Sequence, residues 1–246
     1  MNNNFIDIKL DHNVISLFIH KPYNFKRDTI SELEIQNQFK KIEKAINYNF
    51  NNILRPHQTH SNNVQIVNEN NINDSFDNVD GLITNLKGVA LCTQVADCQS
   101  ILFYDTKNKV IGNVHSGWRG TLNRICTNAI EIMKKEYHSD VKNIKVYISP
   151  SIHKCHFEVG EELKEEFEKE FSNIDDLIVK GDYKEEQKYY IDTVELNKRV
   201  LINLGIKESN ISSSKLCSVC NDYVHSYRRD KPNDGRNITL IAIKNN

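Results

Sequence analysis

The chain is short of residues that break or lock a backbone: four prolines and nine glycines stand among 246 residues. They are scattered, so no Pro/Gly/Ser-rich linker divides the sequence, and no internal repeat is present; one domain over residues 1–246 is the expectation. No charge sign dominates. Lys and Arg number 32 against 33 Asp and Glu, a net charge of -1, which excludes the whole-protein basic field that nucleic-acid binding uses. Short basic clusters such as RRDK (228–231) read instead as local anion contacts. No run approaches the ~18 apolar residues that a bilayer span needs, so no membrane partner is expected. The N-terminal stretch MNNNFIDIKLDHNVISLFIH places acidic residues within its apolar part and has no small-residue cleavage site. It does not read as a secretory signal, and a cytoplasmic protein is expected. In that setting the six cysteines (Cys92, Cys98, Cys126, Cys155, Cys217, Cys220) argue for thiols or metal ligands over a disulfide scaffold.

What is present is enough apolar sequence, 39%, to bury a sizeable core. Residues 5–10 and 13–20 read as a strand pair. SELEIQNQFKKIEKAIN (31–47) opens on a capping-box pattern, Ser31 to Glu34, and predicts an amphipathic helix. Strand-like runs follow at VQIV (64–67), GLIT (81–84), VALCTQVA (89–96), SILFYD (100–105) and KVIGNVH (109–115). A helix is expected over 121–137, with Leu122, Ile125, Cys126, Ala129, Ile130 and Met133 on one stripe. The second half predicts strands at 143–149, 189–192 and 237–243, with helices over 160–172 and up to Leu204. Consecutive strands mixed with helices point to an α+β architecture, a layered sandwich of mixed β-sheet flanked by helices.

The only tryptophan sits in VHSGWRG (114–120), a strand-to-helix turn. Its glycines permit close backbone approach, Thr121 is placed to cap the helix, and the helix start offers N–H groups to an anion. His115 ends the strand at the same mouth. Two other segment ends carry metal-ligand types, RPHQTHS (55–61) and VADCQS (95–100). His60, Cys98 and His115 would make a three-ligand set of the kind zinc prefers, leaving a fourth position open. Their separations, 38 and 17 positions, suit a site assembled from the ends of separate strands. Taken singly, each has a plainer reading: HxxH at 57–60 as solvated loop, Cys98 as a small hydrophobe, His115 as a capping residue, Trp118 as core. The CxxC at Cys217 and Cys220 reads as loop cysteines, a redox pair or half a metal site. Arg228, Arg229 and Arg236 are planar donors suited to phosphate or carboxylate, or else solvated.

Taken together, HQTHSNNV (57–64), DGLITN (80–85), ADC (96–98) with ILFYD (101–105), HSGWRG (115–120), SPSIHKCHFEVG (149–160) and HSYRRDKPNDGR (225–236) resemble the multicopper polyphenol oxidoreductase (laccase-like) family. That family is also described as a multifunctional purine nucleoside phosphorylase and, in bacteria, as a peptidoglycan editing factor. The resemblance runs in order from about residue 50 to the C-terminus, and HSGWRG and SYRRD are its specific parts. It implies that His60, Cys98 and His115 bind one zinc ion and carry catalysis. The implied reactions are phosphorolysis of adenosine, inosine, guanosine and methylthioadenosine, with adenosine deamination as a further activity. Arg55, Arg119, Arg228 and Arg229 are the candidates for phosphate, and Asp97 for carrying a proton or orienting a ligand. Two departures bear on the pocket. Many members have proline where this chain has Ser100, and glycines where it has Ser149 and His153.

Three rival readings keep the same residues. Cys98 could be the nucleophile and His115 the base of a thiol hydrolase, an idea supported by the family's fold similarity to a glutamine-deamidating toxin domain. Copper-dependent phenol oxidation follows from the family's older name, but a trinuclear centre needs many histidines, and nine histidines here include no HxH. A non-enzymatic reading makes the protein a metal-stabilised partner in cell-wall assembly.

Overall fold

The computed structural model describes residues 4–183 and 186–245. Its frame is two mixed sheets laid face to face. The first has the order β1 (Phe5–Asp7), β2 (Val14–Ile19), β14 (Asn237–Ile243), β6 (Val89–Val95), β3 (Asn52–Leu54). The second runs β13 (Ile211–Ser213), β9 (Ile144–Ile148), β7 (Gln99–Asp105), β8 (Val110–Ser116), β5 (Gly81–Thr84), β4 (Val64–Ile66). In each, an edge strand pairs parallel (β3 with β6; β4 with β5 and β13 with β9) while the interior is antiparallel. A small antiparallel sheet, β10 (Glu158–Val159), β12 (Glu186–Ile191), β11 (Ile178–Tyr183), sits apart.

The layering follows from two-sided burial. Strands β7, β8 and β14 are buried at every position, so both faces of each sheet must be covered. Between the sheets, Val14, Leu91, Ile241 and Ile243 meet Leu82, Leu102, Tyr104 and Ile111. The outer face of the first sheet is covered by α1 (Glu32–Ile46), which buries Ile35, Phe39 and Ile42. The second sheet's outer face is covered by α3 (Ile125–Tyr137) and α5 (Thr193–Asn203), through Ile125, Ala129, Ile130, Met133 and Leu201. A fourth cluster, centred on Phe167 of α4 (Glu161–Glu170) with Ile152, Phe157 and Leu196, packs over the small sheet. This is the expected α+β sandwich, with helices on its two outer faces.

The predicted capping box of α1 is present: Glu34 N donates to the Ser31 hydroxyl at 3.3 Å and Ser31 N to the Glu34 carboxylate at 3.1 Å. The helix predicted over 121–137 is instead two. A single turn, α2 (Trp118–Leu122), starts from Gly117, and α3 begins at Ile125 after Arg124 takes a left-handed φ of 55°. Thr121 therefore caps nothing. Its buried hydroxyl lies 3.0 Å from Ser116 Oγ and accepts from Asn197 Nδ2 at 3.1 Å, tying α2 to β8 and α5. The strand expected over 5–10 ends at Asp7, and β3, β11, β13 and the short α6 (Tyr227–Asp230) were not anticipated. Among the described residues, no helix is long and apolar enough to cross a membrane.

Candidate functional site

The site lies where the chain passes from one sheet to the other. Strands β6 and β7 are consecutive but belong to different sheets, so the intervening turn 96–98 crosses the end of the sandwich and carries Cys98. The loop from β3 to β4 makes the same crossing and carries His60. His115 sits near the end of β8, opposite Ser100 of β7. The ligand atoms of His60, Cys98 and His115 all lie within 4.8 Å of one another. Cys98 Sγ is 3.9 Å from His60 Nε2, and the two imidazole rings meet edge-on at 4.8 Å.

Asp80, the first residue of DGLITN, organises this set. It is fully buried. Its carboxylate accepts from His115 Nδ1 at 2.8 Å, from His60 N and Thr59 N at 3.1 Å each, and from Ser61 N at 2.8 Å. One carboxylate thus fixes the loop that bears His60 and leaves Nε2 of His115 facing Cys98, an arrangement that sets tautomer and ring orientation in metal sites. His60 has a left-handed φ of 63°, a conformation that these hydrogen bonds help hold. Gln58 locks the same loop to β6, accepting from Gln94 N at 2.7 Å and donating to its carbonyl at 2.9 Å. Gly117 leaves the necessary room: a Cβ there would lie 3.0 Å from Cys98 Sγ and from His60 Cδ2.

Electrostatics follow from this packing. Burial would raise the Cys98 thiol pKa, yet the neighbouring imidazoles of His115 and His60 outweigh it and bring it down to about 6. His115 is pushed the other way: burial would lower it, but the Cys98 sulfur and the Asp80 carboxylate raise it to about 9. Asp80 itself is lowered to about 2, hydrogen bonds from His115 and Ser61 overcoming the cost of burial. By contrast, Cys92 and Cys126, buried without such partners, are both pushed up to about 12. Three soft-to-borderline donors converge, a carboxylate stands behind one of them, and open space lies in front. That donor set fits a single zinc ion with one position free.

The three side chains floor a cavity of about 660 Å³, within the ~300–1,000 Å³ usual for small-molecule sites. Trp118, Phe157, Tyr227 and Ile152 give it apolar walls. Its basic lining comes from Lys26, Arg27, Arg119, Arg228, Lys231 and Arg236. Of the five arginines named from the sequence, Arg119, Arg228 and Arg236 are there, and Arg119 lies over the Trp118 ring at 4.0 Å. Arg55 and Arg229 are outside this lining. Arg55 is buried against Glu32 at 3.2 Å, and Arg229 donates to the carbonyls of Ser218, Val219, Asn221 and Val224. Asp97 lines the cavity, but its oxygens accept from Ser218 Oγ and Arg228 N at 2.6 Å each, so it pins two loops. Trp118 both lines the cavity and packs on the cluster around Phe167.

The two departures noted in the sequence meet in space. Ser100 N donates to Ser149 Oγ at 2.9 Å, a bond that proline at 100 could not make and glycine at 149 could not receive.

The family model described as multi-copper polyphenol oxidoreductase laccase matches residues 26–244. A protein named adenosine deaminase, from an unknown prokaryotic organism, is 32% identical over 211 residues, 82% of this chain and 79% of its own. A purine nucleoside phosphorylase of Borreliella burgdorferi is 32% identical over 226 residues, covering 92% of this chain and 91% of its own. Among solved structures, the hypothetical protein YfiH of Bacillus licheniformis superposes with a TM-score of 0.89 at 23% identity, over 98% and 97% of the two chains. YlmD of Geobacillus stearothermophilus gives 0.88 at 21%, over 100% and 98%. From the segment bearing Lys26 to the last strand, the chain belongs to the multi-copper polyphenol oxidoreductase laccase family.

Proposed function

We propose that the protein is a zinc-dependent purine nucleoside phosphorylase acting on adenosine, inosine, guanosine and methylthioadenosine, with adenosine deamination as a second activity. The observation that carries this reading is the convergence of His60, Cys98 and His115, braced by Asp80, on the floor of a basic-lined cavity. The names of these relatives, at about 30% identity, support an enzyme of this kind. A zinc ion held there supplies Lewis acidity and lowers the pKa of water toward about 7. The chain's own residues do the rest. Arg119 and Arg228, with Lys231 and Arg236, supply cationic donors for phosphate. Trp118 and Phe157 offer apolar faces to a flat base. Asp80 keeps its proton partner, His115 Nδ1–H, in place throughout, so that Nε2 stays on the Cys98 side and would be free to hold the metal.

Copper oxidation is not supported by this donor set. Among the described residues, the clusters of three or more metal-ligating side chains number two, and neither has more than two histidines, whereas the trinuclear centre of multicopper oxidation needs more; His60, Cys98 and His115 match only the His₂Cys part of a blue copper site. A second reading has a specific observation behind it: without metal, Cys98, His115 and Asp80 form a nucleophile, base and orienting carboxylate in series.

Metal content measured on untagged protein, with adenosine assayed in phosphate buffer and products separated by chromatography, decides between them. Adenine or inosine appearing only with zinc-loaded wild type is expected. A metal-free protein whose Cys98 alkylates at once and which makes no purine product would replace this reading with the thiol hydrolase.

A further inference from the structure

On the far side of Asp97 lies a second gathering of soft ligands that the cavity does not use. Cys155 and His156 come from the turn 153–156, closed by hydrogen bonds from His156 N and Phe157 N to the His153 carbonyl, each 2.9 Å. Cys217 and Cys220 come from the turn that follows β13. The two turns are joined by a β-bridge between Ser151 and Cys217 and by Ser218 N donating to the Ser151 carbonyl at 2.8 Å.

The ligand atoms of all four lie within 4.8 Å of one another. His156 Nδ1 is 3.2 Å from Cys155 Sγ, 3.4 Å from Cys220 Sγ and 3.7 Å from Cys217 Sγ, and Cys155 Sγ is 3.8 Å from Cys220 Sγ. These are four of the six separations among the ligand atoms, and all six are within 4.8 Å, close enough for one ion to bind all four. With Zn–S near 2.3 Å and Zn–N near 2.0 Å, ligand atoms around one zinc stand roughly 3.5–3.8 Å apart. A disulfide needs its sulfurs at about 2.05 Å and would leave one thiol and the imidazole without a role. Backbone N–H groups of His153, Val219 and Cys220 also face the Cys217 sulfur. Donors to the sulfur of the first cysteine of a CxxC turn are what a metal-bound thiolate, an acceptor with surplus charge, requires.

We propose that Cys155, His156, Cys217 and Cys220 hold a second divalent metal ion of the zinc class in a closed Cys₃His site with a structural role. All four positions are filled by protein, so no place remains for water or substrate. Cys155 and Cys220 are exposed, which gives the ion a way in. What the ion fastens is the cavity wall. Phe157 follows the first turn, and Arg228 reaches back to it, donating to the carbonyls of His156 at 3.0 Å and Glu158 at 3.3 Å. The sequence showed CxxC alone; its missing half lay some sixty residues upstream, in a stretch where Cys155 and His156 carry no motif of their own.

The test counts metal. Wild type loaded with zinc and dialysed should hold two ions per chain, Cys98→Ala one, and Cys217→Ser one. Cobalt in the Cys98→Ala protein should give the intense visible bands of tetrahedral thiolate ligation. A wild type with one ion, lost entirely in Cys98→Ala, would overturn the proposal. Should Cys217→Ser fail to fold, native wild type answers through its thiols. Peptides bearing Cys155, Cys217 and Cys220 should resist iodoacetamide until a chelator is added. Their immediate alkylation, or recovery of a Cys155–Cys220 disulfide from non-reduced protein, would equally overturn it.

Discussion

The two Cys/His clusters use overlapping ligand types at opposite faces of one turn, and they differ in what stands behind the ligands. At His60, Cys98 and His115 the support is a buried carboxylate, Asp80, and the front is open cavity. At Cys155, His156, Cys217 and Cys220 the support is backbone N–H, and protein fills every position. Three ligands with an open face suit chemistry, and four with none suit fastening. Asp97 stands between the two, next to Cys98 in sequence and hydrogen-bonded to Ser218 of the second cluster's turn and to Arg228 of α6.

The largest effect that separates them is on turnover. Cys98→Ala should bring adenosine consumption to background and remove one metal ion, whereas Cys220→Ser should keep measurable turnover. Equal loss in both, measured by product chromatography, would erase the distinction. Next comes Asp80→Asn, which leaves a neutral acceptor behind His115 and the His60 loop. Metal affinity at the open site should fall about 10–100-fold, as read by competition with a chromogenic chelator, with the closed site unaffected.

A Cys220→Ser substitution should show itself mainly in heat. For a chain of this size each 1 kcal/mol lost moves Tm by about 2–4 °C, and a shift of several degrees in calorimetry is expected, larger than for Asp80→Asn after chelation. Gly117→Ala should be milder, since the added methyl meets Cys98 Sγ and His60 Cδ2 at 3.0 Å and the His60 side chain can yield. Weaker metal binding with an unchanged melting curve is expected.

The smallest effect is one of pH. In chelated protein the Cys98 pKa of about 6 lies below its usual 9.0, so the reactive thiolate is present above that value and is lost as pH falls through it. The iodoacetamide rate at Cys98 should therefore bend near pH 6. A bend near 9 would mean that His115 and His60 do not hold the charge.

The meeting of His60, Cys98 and His115 was legible because each lies at the end of a recognisable segment: QTH, ADC and HSGW. Asp80 was not, because DGLIT reads as an ordinary turn before a strand, and nothing local announces that its carboxylate reaches back to residues 59–61. Lys26 and Arg27 were missed for a similar reason: the cavity is completed by a segment remote in sequence from every motif. In the fold, the long buried strands and the capped α1 followed from pattern, while β3 and β13 are short edge strands whose pairing is set by neighbours. The break at Arg124 was hidden by an uninterrupted helical stripe; the polar bonds of Thr121 to Ser116 and Asn197 override it.

The contact between Ser100 and Ser149 has a consequence for the order in which these positions can change. Both are buried. Exchanging proline for serine at 100 while glycine remains at 149 would bury a bare N–H, at a cost of about 1–3 kcal/mol. The reverse order is gentle, since the Ser149 hydroxyl already donates to the Pro150 carbonyl at 3.1 Å and needs nothing from residue 100. Epistasis at this pair is therefore directional: hydroxyl first, amide second.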